Sequence, residues 1–103
     1  MTDRELLELA AKAAGVDGNW HEGAKIFWTG SKGWNPLDND GDALRLAVKL
    51  GMVVRQPCKG VVTAYSDTPK FMATPPTEYI EPDPYTATRR AIVRAAAEIG
   101  RMK

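Results

Sequence analysis

Residues 34–51 read WNPLDNDGDALRLAVKLG, and this stretch decides most of the fold. Pro36 biases the residue before it away from helical dihedral angles. The side chains of residues 38–40 are good acceptors for the free N–H groups of a first helical turn. These signals predict a helix that begins between Asp38 and Gly41.

The remainder of this stretch predicts a helix with a wide apolar face. Arg45 and Lys49 mark its solvent side, and Gly51 stands where a left-handed C-terminal cap is expected. Met52 then begins a β-branched run that favours a strand. Apolar residues recur at three- and four-residue spacing, which predicts burial of Ala43, Leu44, Leu46, Ala47, Val48 and Leu50.

Length and composition predict one domain that covers residues 1–103. The chain has 103 residues, of which 44% are hydrophobic and 26% charged, and a formal net charge of +1. It is long enough for one modest core, and its global charge favours no class of partner. The single cysteine, Cys58, cannot form an internal disulfide, which indicates a reducing cytoplasm. No apolar run approaches the roughly 20 residues of a membrane span, so we expect no membrane partner.

The flanking sequence predicts two further helices. Thr2 and Glu5 have the spacing of a capping box, and the helix that follows ends at Gly15. Asp83 is a good N-cap and Pro84 is tolerated at the first helical position, so a last helix runs from there toward Met102. Its predicted inward stripe consists of Tyr85, Thr88, Ile92, Ala95, Ile99 and Met102.

Two β-hairpins are predicted between these helices. The first joins Trp20 to the apolar run 24–29, and residues 30–33 form the turn that follows it. The second joins residues 52–55 to residues 61–65. Both connections are short, so we expect antiparallel pairing.

Residues 66–84 contain five prolines and predict an irregular loop. Only short edge strands around Phe71 and Tyr79 are compatible with that proline density. The sequence therefore predicts an α+β fold, in which a small antiparallel sheet of hairpins is packed by an N-terminal, a central and a C-terminal helix.

The aspartates at the start of the central helix match part of a metal-binding pattern. Asp38, Asp40 and Asp42 alternate as in the opening of a calcium loop. However, Gly41 stands at the fourth position instead of the sixth, and Lys49 replaces the Glu required at the twelfth. Helix capping is the favoured interpretation, and metal-dependent activity here is a weak alternative.

No motif assigns a catalytic residue. The single histidine, His21, has no Ser or Cys nucleophile near it in sequence, and the glycines around Lys32 lack the spacing of a phosphate loop. We therefore expect a non-enzymatic protein without a cofactor or bound metal.

Three tryptophans within fifteen residues exceed what a small sheet easily buries. At least two of them are expected in the core, because large aromatic side chains are usually buried. An exposed aromatic side chain beside an acidic cap is a common anchor for a protein partner. The candidate partner-binding residues are Trp28, Trp34, Asp38 and Asp40.

The last helix carries a basic face that could contact a phosphate backbone. Glu98 interrupts this face, and basic residues also suit a helix C-terminus. A solvated charged face is thus the favoured interpretation. The alternative, nucleic-acid binding, would use Arg89, Arg90, Arg94 and Arg101.

Two short patterns resemble small bacteriophage and prophage proteins related to the NinX family. One is Trp34-Asn35-Pro36 followed by Asp42-Ala43, and the other is Asp83-Pro84 followed by Ala91-Ile92-Val93. The resemblance implies a phage origin and the cytoplasm of a bacterial host. It implies no particular chemistry, because the family has no established activity.

Two functional hypotheses follow from the residues and the resemblance. The leading one is a phage-encoded accessory protein that binds a host or phage macromolecule and inhibits or modulates it. The alternative is a small nucleic-acid-associated regulator that uses the arginines of the last helix. The sequence leaves the identity of the partner and the oligomeric state open.

Overall fold

Three helices and six strands make up the part of the chain that the computed structural model describes, namely residues 2–30, 32–55, 61–66, 77–79 and 83–102. None of these helices combines the length and apolar character that a membrane crossing requires. In chain order the elements are α1 (Asp3–Ala14), β1 (Asn19–His21), β2 (Ile26–Trp28), β3 (Gly33–Trp34), α2 (Asp40–Lys49), β4 (Met52–Arg55), β5 (Val61–Ser66), β6 (Thr77–Tyr79) and α3 (Pro84–Arg101).

The strands form two antiparallel sheets of three strands each. Their orders are β1-β2-β3 and β4-β5-β6. Trp20 lies opposite Phe27 in the first sheet, and Val54 lies opposite Ala64 in the second. The α+β class and both predicted hairpins are confirmed. The structure differs from the expectation in that the hairpins belong to two sheets instead of one.

Two details of the strand prediction are refined by the structure. Gly33 pairs with Trp28 in β3, so the predicted turn at residues 30–33 ends one residue earlier. Tyr79 lies in the short strand β6, as the proline-rich sequence allowed. The other strand considered there, around Phe71, falls outside the described residues, as do residues 67–76 and 80–82 of the segment 66–84.

Helix α3 is the element against which most of the others pack. It contacts α1, α2, β4, β5 and β6, and its contact with α1 is the most extensive between any two elements. Its N-cap is Asp83 and Pro84 occupies the first turn, as predicted. Its small side chains let neighbouring backbones approach closely, and those buried completely are Ala91, Ala95 and Ala96.

Local capping signals set the ends of the other two helices. Thr2 and Glu5 form a reciprocal capping box at the start of α1, and Gly15 ends that helix with a φ of 70°. Asn39 caps the start of α2, within the predicted window. Gly51 follows its end with a φ of 61°, a conformation that glycine adopts without steric cost.

Hydrogen bonds lower the pKa of two carboxylates at these helix starts. The backbone N–H and hydroxyl of Thr2 donate to Glu5 and hold its pKa below the usual value. The Thr86 hydroxyl and the Tyr85 backbone N–H donate to Asp83 and lower its pKa in the same way. In both cases the donors favour the charged form of the acid.

Four apolar residues that the periodicity assigned to the core are exposed instead. Leu44 and Val48 are 64% and 72% exposed, because α2 packs on α3 and β4 through its other side, around Ala43, Leu46 and Ala47. At the two ends of α3, Tyr85 and Met102 are also exposed. Since α3 has 18 residues and its main neighbour α1 has 12, α3 extends beyond the surface that α1 covers.

Candidate functional site

The three aspartates around the start of α2 do not meet at one point, because Asp38 and Asp42 both bind Asn35 whereas Asp40 binds Arg89. Asp42 is buried, where it accepts the Asn35 backbone N–H at 3.0 Å and pairs with Arg45 at 2.8 Å. Asp38 accepts the Asn35 side-chain amide at 3.2 Å. Asp40 points elsewhere, toward α3. Within the described part of the chain, no group of three or more His, Cys, Asp or Glu side chains could hold a metal ion.

The three tryptophans have three different environments. Trp34 is 7% exposed and meets Phe27 edge-on with ring centroids 5.7 Å apart, so it belongs to the core and offers no anchor on the surface. Trp20 is half-buried against the core. Trp28 is 41% exposed and meets His21 edge-on at 6.3 Å. At least two tryptophans were expected in the core, and the structure buries one of them, Trp34, while Trp20 packs against the core from its edge.

The arginines of α3 are engaged with protein groups. Arg90 lies 3.5 Å from Asp3, and Arg101 lies 2.8 Å from Glu98. Arg94 is half-buried and also has an interaction partner. Protein groups therefore already occupy the arginine face of α3 that a phosphate backbone would contact.

Arg89 is the exception among these arginines because its side chain points inward and is only 15% exposed. Its Nε donates to the Leu37 carbonyl at 2.8 Å, and its Nη1 lies 2.6 Å from Asp40. Its Nη2 donates to the Thr86 hydroxyl at 3.0 Å. The guanidinium therefore ties α3 to the turn before α2 and is not free to bind a phosphate.

An apolar cleft of about 340 Å³ lies between α2 and α3 beside this guanidinium. Ala43 and Ile92 form its buried wall, while the exposed side chains of Leu44 and Tyr85 stand at its margin. Val48 extends the same exposed face, since it follows Leu44 by one helical turn. The cleft is lined by Asp40, Ala43, Leu44, Tyr85, Thr88, Arg89 and Ile92.

Sequence reasoning missed this surface because it assigned Leu44, Val48 and Tyr85 to the core. A usable signal was present in α2, where Leu44 and Val48 directly precede Arg45 and Lys49, the residues that mark the solvent side. Of the predicted partner-binding residues, only Asp40 lies at the cleft.

A second cleft, of about 400 Å³, is polar and lies at the start of α1. Trp20 and Leu7 contribute its apolar part. Arg4 lies 3.4 Å from Glu22 at its edge, and Asp38 lines it from the turn before α2. Positive and negative side chains both line this cleft, so its electrostatic potential does not favour a ligand of one charge.

Comparison of the chain with models of known protein families, with curated proteins and with solved structures found no match. The similarity to the NinX family thus remains an interpretation of the sequence motifs.

Proposed function

We propose that this chain is a non-enzymatic, phage-encoded accessory protein that binds a host or phage protein through the exposed face of α2 and the cleft beside α3. The phage assignment rests on the motif resemblance. The binding role rests on the apolar surface, which we call the α2–α3 face and define by Leu44, Val48, Tyr85 and the cleft lining.

The observation that carries this proposal is the exposure of two large apolar side chains at one apolar cleft, with a third on the next turn of α2. Leu44, Val48 and Tyr85 are each more than 60% exposed. In soluble proteins, a contiguous exposed apolar patch of more than about a few hundred Å² often marks a binding site. An aromatic and an aliphatic side chain next to a preformed cleft also match the composition of interface centres.

The polar groups around the cleft suit the rim of such an interface. Asp40 keeps 74% of its side chain exposed while it pairs with Arg89. Arg89 in turn joins α3 to α2 through Asp40 and to the preceding turn through the Leu37 carbonyl. A charge-assisted contact thus joins the two helices at the cleft before any partner binds, which lowers the cost of ordering this site on binding.

The experiment is an affinity capture from a bacterial host lysate with the tagged protein. We expect the wild type to retain a stoichiometric protein partner. A Leu44→Gln/Tyr85→Gln variant should lose it, because both replaced side chains line the cleft. Met102→Gln is the matched control, since Met102 is also exposed but lies at the opposite end of α3.

Nuclease treatment separates this proposal from nucleic-acid binding. Retention of the partner after nuclease, with loss only in the cleft variant, would support the protein-binding role. Recovery of nucleic acid that is lost in an Arg90→Ala/Arg94→Ala variant would overturn it in favour of the arginine face. Equal capture by the wild type and the cleft variant would also reject the α2–α3 face as the site.

A further inference from the structure

We propose that the polar cleft at the start of α1 binds a small zwitterion with an apolar body, the chemistry of a free amino acid or a short peptide. Two side chains of opposite charge line this cleft of about 400 Å³ without pairing with each other. The cleft shares no lining residue with the cleft of the α2–α3 face, so this inference stands apart from the proposed function.

Some of the charged side chains that line this cleft are already paired within the chain. Arg4 lies 3.4 Å from Glu22, and both residues belong to the lining. Asp3, which also lines the cleft, lies 3.5 Å from Arg90 of α3. Each of these charges is compensated by an opposite charge of the same chain, so none of them requires a ligand.

Lys25 and Asp38 are the two charged lining residues that remain. Asp38 accepts the neutral side-chain amide of Asn35 at 3.2 Å, and no cation of the described chain forms an ion pair with it. Within the same residues, no carboxylate pairs with Lys25. A ligand with a carboxylate and an ammonium group compensates both side chains, whereas a ligand of one charge meets a like charge at the second.

The backbone at Lys25 supports a ligand contact at this position. Lys25 ends the turn between β1 and β2 with a φ of 51°, and among the described residues it is the one non-glycine residue with a positive φ. A β-carbon is sterically unfavourable in this left-handed region, which glycine occupies freely. Strain of this kind concentrates at functional sites. A lysine that costs stability here is accounted for if its ammonium binds a ligand.

The uncharged part of the lining suits an apolar body. Leu7 and Leu37 are buried side chains that line the cleft, and the half-buried indole of Trp20 adds an aromatic surface. The cleft volume of about 400 Å³ lies near the lower end of the range for small-molecule sites. We therefore expect a ligand no larger than one or two amino acids.

The test is an NMR titration of the purified protein, followed at the indole N–H of Trp20. The probes are L-phenylalanine and the dipeptide glycylphenylalanine, which separate a free amino acid from a short peptide as the source of the zwitterion. We expect at least one of them to bind with a dissociation constant of roughly 1 mM or lower. Phenylpropionate lacks the ammonium group and phenylethylamine lacks the carboxylate, so each should bind about tenfold more weakly than phenylalanine.

Variants of the two charged residues locate the site. Lys25→Gly and Asp38→Asn should each weaken binding of the zwitterion about tenfold, because each removes one charge. Lys25→Gly should also raise the melting temperature, since glycine relieves the strain of a positive φ. Lys32→Gly is its matched control, because Lys32 lies in the next turn, does not line the cleft and has no positive φ. Asp17→Asn is the control for Asp38→Asn, since Asp17 is exposed outside the cleft.

Several outcomes would overturn the zwitterion site. One is a wild type that binds neither probe, and another is binding of phenylpropionate or phenylethylamine as tight as that of phenylalanine. Equal effects of Lys25→Gly and Lys32→Gly on binding would also reject the site. None of these results bears on capture of a partner from lysate, because the α2–α3 face has its own cleft and its own variants.

Discussion

At the scale of single residues, Arg89 shows how one side chain defines the candidate site. Its guanidinium has three acceptors, the Leu37 carbonyl, the Asp40 carboxylate and the Thr86 hydroxyl. They come from the turn before α2, from α2 and from α3. A planar group with several fixed donors can serve all three at once, which a lysine ammonium cannot do from the same position. The geometry of the cleft therefore depends on arginine at position 89.

We expect Arg89→Lys to lower the free energy of unfolding by about 1 to 2 kcal/mol, because the part-buried Leu37 carbonyl and the Asp40 carboxylate lose the fixed donors of a largely buried guanidinium. Chemical denaturation with urea measures this change. Arg101→Lys is the control, since the exposed Arg101–Glu98 pair should contribute less than about 0.5 kcal/mol. Equal stability of the two variants would show that Arg89 does not tie α2 to α3.

Residue-level roles were only partly predictable from the sequence. The caps Thr2 and Asp83 were found correctly, because a cap acts on backbone groups two or three residues away. The inward direction of Arg89 was not found, because its carbonyl partner is Leu37, 52 residues away along the chain. Trp34 was predicted from the sequence to bind a partner, and only the pairing of β2 with β3 places it against Phe27 in the core.

At the scale of elements, the contact between α1 and α3 is the most extensive between any two of the described elements. Gly100 of α3 lies directly against the backbone of α1, where an added Cβ would overlap the carbonyl of Leu9. The sequence pointed to α2 as the organising helix because its apolar periodicity is strong. Alanines contribute little to a pattern of apolar periodicity, so the pattern underestimated the burial of α3. Ala95 and Ala96 of this helix are fully buried.

We expect Gly100→Ala to lower the free energy of unfolding by about 1 to 3 kcal/mol, because the two helix backbones must separate to admit the methyl group. In an unconstrained helix the same substitution stabilises by about 0.5 to 1 kcal/mol. Gly41→Ala in α2 is the matched control. Its new Cβ would lie 3.2 Å from the Arg45 guanidinium and from the Asn39 side-chain oxygen, which are side-chain atoms and not a helix backbone.

If α1 and α3 are in backbone contact, the two alanine substitutions change the free energy of unfolding in opposite directions, and denaturation curves measure both changes. Stabilisation by Gly100→Ala would show that the helices are further apart in solution.

The exposure of the apolar side chains of α2 is a second feature that the sequence pattern predicted wrongly. Leu44 and Val48 follow the apolar period of α2, yet a period gives the width of a face and not the number of neighbours that cover it.

At the scale of the whole molecule, two carboxylates with lowered pKa values stand at the starts of the two helices that pack most extensively. Glu5 belongs to the capping box of α1, and Asp83 caps α3. Because their pKa values are lower in the folded chain, the unfolded chain binds more protons in the acidic range. Stability should therefore be fully present above the unfolded pKa values and fall as the pH drops through the folded ones.

We expect a Glu5→Gln/Asp83→Asn variant to show a shallower loss of melting temperature below pH 4.5, the ordinary pKa of glutamate. Its stability at neutral pH should change less, because Asn is also a good N-cap and Gln can complete a capping box. Thermal melts at a series of pH values measure both quantities. Asp17→Asn is the control, since Asp17 lies in the loop after α1 and caps no helix. If the double variant and the control lost melting temperature equally on acidification, the acid sensitivity would arise outside the helix starts, and the pKa values of Glu5 and Asp83 would not govern it.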